Sequence, residues 1–137
     1  MKATVKLDKR RGVMRRILTL LTVIMVLSIV AISSVADDID HQLRSKWNEM
    51  TSFLKQGNTE KALELIHPAK RNNYAIVFQA TRDKLPQITS TQVDFKVIKI
   101  YDDYAQYELI AKEKGELYSY EVVFEKAQYG KWYIKEF

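Results

Sequence analysis

The chain has 137 residues, enough for one domain once a targeting segment is set aside. Charged residues make up 28% and the apolar set 47%, which excludes a disordered chain. There is no cysteine, which excludes disulfides, thiolate metal sites, iron–sulfur clusters, a cysteine nucleophile and a lipid-modified N-terminal cysteine.

The basic balance, +5 overall with a pI near 9.3, is unevenly placed. Residues 1–36 carry seven Lys/Arg against Asp8, a net of +6. The remaining fifteen Lys/Arg face sixteen Asp/Glu, a net of −1. A near-neutral body lacks the phosphate-binding electrostatics of a nucleic-acid partner, so no DNA or RNA binding is expected.

The positive charge sits in front of Ile17 to Ala36, twenty residues without a charge. This is the positive-inside pattern, with a cytoplasmic N-terminus and the rest of the chain outside. The run is long enough to span a bilayer as a retained anchor. Ser34 and Ala36 also make a small-residue cleavage site, as in a secretory signal. Both readings place residues 37–137 in the periplasm or another extracytoplasmic space, either free or tethered to the inner membrane.

In chain order, Asp37-Asp38 supplies an acidic helix start. Ile39, Leu43, Trp47, Met50 and Leu54 recur at helical spacing, and Gly57 ends the helix in the left-handed position. Thr59, aided by Asn58, caps a short second helix with Ala62, Leu63, Leu65 and Ile66 on its apolar side, stopped by Pro68. A third helix is expected from about 69 to 84, with Tyr74, Val77, Phe78, Thr81 and Leu85 in its stripe. Arg71 and Arg82 fall on its wet side, and Leu85-Pro86 closes it.

The period then changes to two. Four strands follow: Val93 to Tyr101, one around Tyr107 to Ala111, Tyr118 to Glu125, and one around Trp132 to Lys135. Turns fall at Asp102-Asp103, Lys114-Gly115 and Tyr129-Gly130. Helices first and a meander afterwards argue an α+β domain, three helices packed on a four-stranded antiparallel sheet. The expected inner face carries Val93, Phe95, Tyr107, Leu109, Tyr120, Val122, Trp132 and Ile134.

Residues 43–137 resemble the nuclear transport factor 2-like superfamily, in particular small exported bacterial domains of unknown function. The resemblance rests on Trp47-Asn48-Glu49-Met50, the stretch Leu54 to Leu65 (LKQGNTEKALEL), Lys70 to Tyr74, Leu85-Pro86 and the ending Gly130 to Phe137. It implies a cone of helices wrapped by a curved sheet. In enzymes of the superfamily an Asp or His inside the cone does the acid–base work. No residue here takes that place: Asp94 falls on the outer phase of its strand and Asp102 in a turn.

No catalytic or metal motif stands out, and no cofactor is implied. The four glycines are isolated, which excludes a phosphate-cradling loop, and there is no GxSxG elbow. His41 and His67 lie far apart without ligand spacing. His67, before Pro68, is a candidate for a cone mouth, against the simpler reading of a helix-terminal histidine. Seven of the eight tyrosines lie between Tyr101 and Tyr133, where β-propensity alone accounts for them. Tyr107 and Tyr120, both on the inner phase, are the pair best placed to meet a ligand. Lys112-Glu113-Lys114 and Glu125-Lys126 read as solvated, edge-protecting charge. The expected function is a non-enzymatic extracytoplasmic binding or interaction domain, an accessory subunit with a membrane-protein partner if the anchor is kept. The alternative is a small enzyme or carrier with a small apolar ligand in its cone pocket. A homodimer through the sheet is a further partner reading.

Overall fold

The computed structural model describes residues 35–137. Contacts divide the chain into two units, Met1–Asp38 and Ile39–Phe137, and the fold below is that of the second. Residues 17–34 of the expected membrane segment lie outside the described residues. Among the described residues no helix is long and apolar enough to cross a membrane.

Helix α1 covers residues 35–55. Val35 and Ala36 are already helical, so Asp37-Asp38 lies inside the first described turns instead of opening them. Leu43, Trp47, Met50 and Leu54 are buried, as their spacing requires. Gly57, at φ 71°, closes the helix. The Asn58 amide donates to the Phe53 carbonyl at 2.9 Å and the Gly57 amide to Leu54 at 3.1 Å. This pair of bonds is a Schellman closure, which satisfies two carbonyls that the helix end leaves without partners.

Helix α2 is Thr59–Glu64. Its cap is Asn58, not Thr59: the Asn58 side chain accepts from the Lys61 amide at 3.2 Å. Arg71 is half-buried and not on a wet face. Its Nε donates to the Ile66 carbonyl and its Nη2 to that of Glu64, each at 3.1 Å, covering carbonyls at the end of α2 and just past it.

Helix α3 is Arg71–Ala80, shorter than expected, followed by a 3₁₀ turn at Arg82–Lys84. Leu85-Pro86 then opens a fourth helix, α4, Leu85–Ser90, where a terminator was expected. Proline is tolerated in a first turn because the amide it lacks would have no intrahelical acceptor. Leu85 adopts helical angles in front of it (φ −55°, ψ −44°) and is buried, so packing overrides the local bias.

Strands β1 (Gln92–Ile100), β2 (Tyr104–Glu113), β3 (Glu116–Lys126) and β4 (Trp132–Glu136) form one antiparallel sheet in the order β1-β2-β3-β4. Lys114 and Gly115 form a two-residue hairpin with φ 51° and 90°, the primed geometry that matches strand twist. The domain is therefore α+β as expected, with helices packed against a four-stranded antiparallel sheet. Most of the expected inner face is buried, and Ala105, Ala111 and Phe124 join it. Val93 does not: a register shift between Gln92 and Asp94 turns Gln92 inward and leaves Val93 61% exposed. At the end of α2 the Ile134 amide donates to Leu65 at 3.0 Å and the His67 amide to Ile134 at 2.8 Å, a parallel bridge that ties α2 to β4.

Candidate functional site

A cavity of about 480 Å³ lies between the helices and the inner face of the sheet. Helix α1 supplies Trp47, Met50, Thr51 and Leu54 to its wall, α3 supplies Tyr74, Val77 and Phe78, and α4 supplies Leu85, Ile88 and Thr89. Leu109, Ala111 and Tyr120 line it from the sheet, with Glu113 at the end of β2 and Phe137 just past β4. This volume is within the range of small-molecule sites. The α4 helix that takes the place of the expected stop at Pro86 therefore builds one wall.

Aromatic packing fixes the cavity's shape. Trp47 stacks on Phe95 with ring centroids 5.1 Å apart, and meets Phe137 edge-on at 5.4 Å. Its Nε1 donates to Gln92 Oε1 at 3.2 Å. Tyr74 stacks on Phe137 at 4.6 Å. Its hydroxyl donates to the Phe137 carbonyl at 3.3 Å and accepts from the Phe137 amide at 3.0 Å. Burial, foremost, raises the Tyr74 phenol above its ordinary range, so it holds its proton at neutral pH.

The wall's threonines are turned on the backbone. Thr51 donates to Asn48 O at 3.1 Å, Thr81 to Val77 O at 2.7 Å, Thr89 to Leu85 O at 2.8 Å and Thr91 to Ile88 O at 2.8 Å. Each presents its methyl group and an oxygen lone pair, not a free proton.

The three residues singled out in the sequence are dispersed. Tyr107 is fully buried and lies outside the cavity wall. Its hydroxyl donates to Asp40 Oδ1 at 2.7 Å. Burial first, and then this bond, push its phenol pKa well up. Tyr120 does line the cavity, 40% exposed, with its hydroxyl donating to Glu113 Oε1 at 2.8 Å. That bond, foremost, raises the Tyr120 phenol. His67 is remote from the cavity: its Nδ1 accepts from the Ala69 amide at 3.3 Å as the cap of a 3₁₀ turn at Pro68–Lys70, and its ring meets Tyr133 edge-on at 6.1 Å.

Two features escaped sequence reasoning. Asp40 is the acceptor of a half-buried network: Arg44 Nε donates to it at 2.9 Å, and Arg44 Nη1 donates to the Phe95 carbonyl. The i, i+4 spacing of Asp40 and Arg44 was the one local signal for it. Glu113 is not edge charge: β2 is a central strand and Glu113 faces the cavity beside Tyr120. Among the charges read as edge protection, Glu125 pairs with Lys135 across to β4, and Lys126 lies 4.9 Å from the Trp132 ring.

Among the described residues no group of three or more His, Asp or Glu is placed to hold a metal ion. Compared with family models, curated proteins and solved structures, the chain matches none.

Proposed function

We propose that Ile39–Phe137 is a non-enzymatic binding domain that holds a small apolar ligand in the cavity between its helices and its sheet. The observation that carries this is the cavity itself: about 480 Å³, walled by apolar side chains on three helices and two strands. Among the described residues its only ionisable groups are Tyr74, Tyr120 and Glu113, and each has its hydrogen bond within the protein. Acid–base chemistry needs a group poised near neutral pH against a substrate. Neither phenol suits this, both being raised, and among the described residues no histidine, lysine or arginine lines the wall. These features favour a carrier over an enzyme.

The finer fold we propose is the nuclear transport factor 2-like cone. Helices laid over an in-order antiparallel meander support it, as do register shifts that bend β1 and β4 and a cavity between the layers. The location we propose is extracytoplasmic, supported by the basic leader and the uncharged run from Ile17 to Ala36. A retained run would make the domain an accessory subunit beside a membrane-protein partner. A homodimer through the sheet has less support. The outer face is a polar ladder, with Gln106 donating to Glu121 and Ser119 to Glu108, each at 2.7 Å.

The test is displacement of the neutral fluorophore N-phenyl-1-naphthylamine by decanol. It uses the full chain as cells yield it, in a non-ionic amphipol where the chain is membrane-held. Ala111→Phe, which places a ring in the cavity, should abolish saturable binding while leaving the circular dichroism spectrum unchanged. Equal dye binding by both proteins would refute the reading. Intact-mass measurement on soluble and membrane fractions tests the location: a species beginning at Asp37 identifies a cleaved signal, a full-length membrane species an anchor.

A further inference from the structure

The cavity is polarised, and its polarity specifies a ligand class. Phe78 and Leu109 are buried in its wall, whereas Tyr120 and Glu113 lie exposed at its rim. Among the described residues Glu113 is the only charged side chain that lines it. Tyr120 holds one carboxylate oxygen in place, and among the described residues Glu113 forms no ion pair. Lys112 points to the opposite face of β2, since successive strand residues alternate. Lys114 sits in the hairpin turn and does not line the wall.

The wall is also poor in proton donors. The hydroxyl protons of Thr51, Thr81, Thr89, Thr91 and Tyr74 are committed to backbone carbonyls, and that of Tyr120 to Glu113. The Trp47 indole N–H is committed to Gln92. Among the described residues this leaves the Gln92 amide nitrogen as the one lining side-chain donor without such a partner. A carboxylate or phosphate head would meet the Glu113 charge and a single donor, whereas a cationic head would meet a fixed carboxylate and several hydroxyl oxygens.

We infer that the cavity selects a single-chain amphiphile with a protonated amine head, its tail among Phe78 and Leu109 and its head at the Tyr120–Glu113 rim. This rests on the binding reading above. Dye displacement by decylammonium, decanol and decanoate at neutral pH separates the two. Because the ion pair is exposed, decylammonium should bind only about fivefold more tightly than decanol. Decanoate should bind more weakly than decanol. Glu113→Gln, which keeps an oxygen for the Tyr120 hydroxyl, should leave decanol binding unchanged and remove the amine's advantage. Decanoate binding as tightly as decylammonium to the wild type would overturn the proposal. So would an amine preference that survives Glu113→Gln. Failure of decanol itself to bind would overturn the cavity reading and this proposal together, whereas three equal affinities would overturn only the head-group selection.

Discussion

The Tyr107 hydroxyl donates to the Asp40 carboxylate at 2.7 Å across a sequence separation of 67 residues. This one bond joins α1 to the central strand β2. Arg44 completes the junction, with its guanidinium 5.7 Å from the Tyr107 ring and 5.8 Å from that of Phe95. The network is a fastening for the first helix and not a reaction centre, because Tyr107 is sealed from solvent and from the cavity.

Tyr107→Phe should therefore destabilise the domain by about 1 kcal/mol, the lower end for a bond to a charged acceptor, since Asp40 is partly exposed and can rehydrate. Urea unfolding measures it. A change within error would show that the bond contributes nothing net.

The same residue sets an alkaline limit. Burial and the Asp40 bond raise the Tyr107 phenol above its unfolded value of about 10. The folded state then keeps a proton that the unfolded state releases. Its contribution is fully present below about pH 10 and is lost as pH rises above that value. Stability should fall through that limb in the wild type and fall less steeply in Tyr107→Phe. Parallel alkaline limbs in the two proteins would refute this assignment.

Trp47 lines the cavity and Trp132 does not, although both are buried. Ligand binding should change the indole emission of a Trp132→Phe protein and leave that of a Trp47→Phe protein unaltered. A response from Trp132 alone would place the ligand elsewhere.

Tyr129 occupies the left-handed region at φ 68°, ψ 17°, with its side chain fully exposed. A bulky residue there costs on the order of 1 kcal/mol relative to one that tolerates this region. Tyr129→Asn should raise the midpoint of thermal unfolding by a few degrees, as expected for about 0.5–1 kcal/mol in a domain of this size. A lowered midpoint would mean that the tyrosine ring makes a contact worth more than the strain.

Periodicity made much of this architecture legible before any coordinates. The stripe Leu43, Trp47, Met50 and Leu54 is buried, and β2 alternates between buried and half-exposed residues from Tyr104 to Ala111. Gly57 and Gly115 mark a helix end and a hairpin because only a residue without a Cβ enters those angles freely. These are local properties, set by sterics within a few residues, and so the sequence by itself determined them.

The site was a different matter. Tyr107 and Tyr120 share one strand phase and looked equivalent, yet one is a buried fastener and the other a rim residue. Their difference depends on which helix lies over each, and no strand period records that. Leu85-Pro86 opens a helix because the packing of Leu85 outweighs a backbone bias. One register shift sends Val93 outward and Gln92 inward to receive the Trp47 indole. The cavity is the space left between layers, and Glu113 borders it together with residues of three helices far from it in the chain. Volume and polarity of that kind arise from contacts between residues distant in the chain, so the tertiary structure alone decided them.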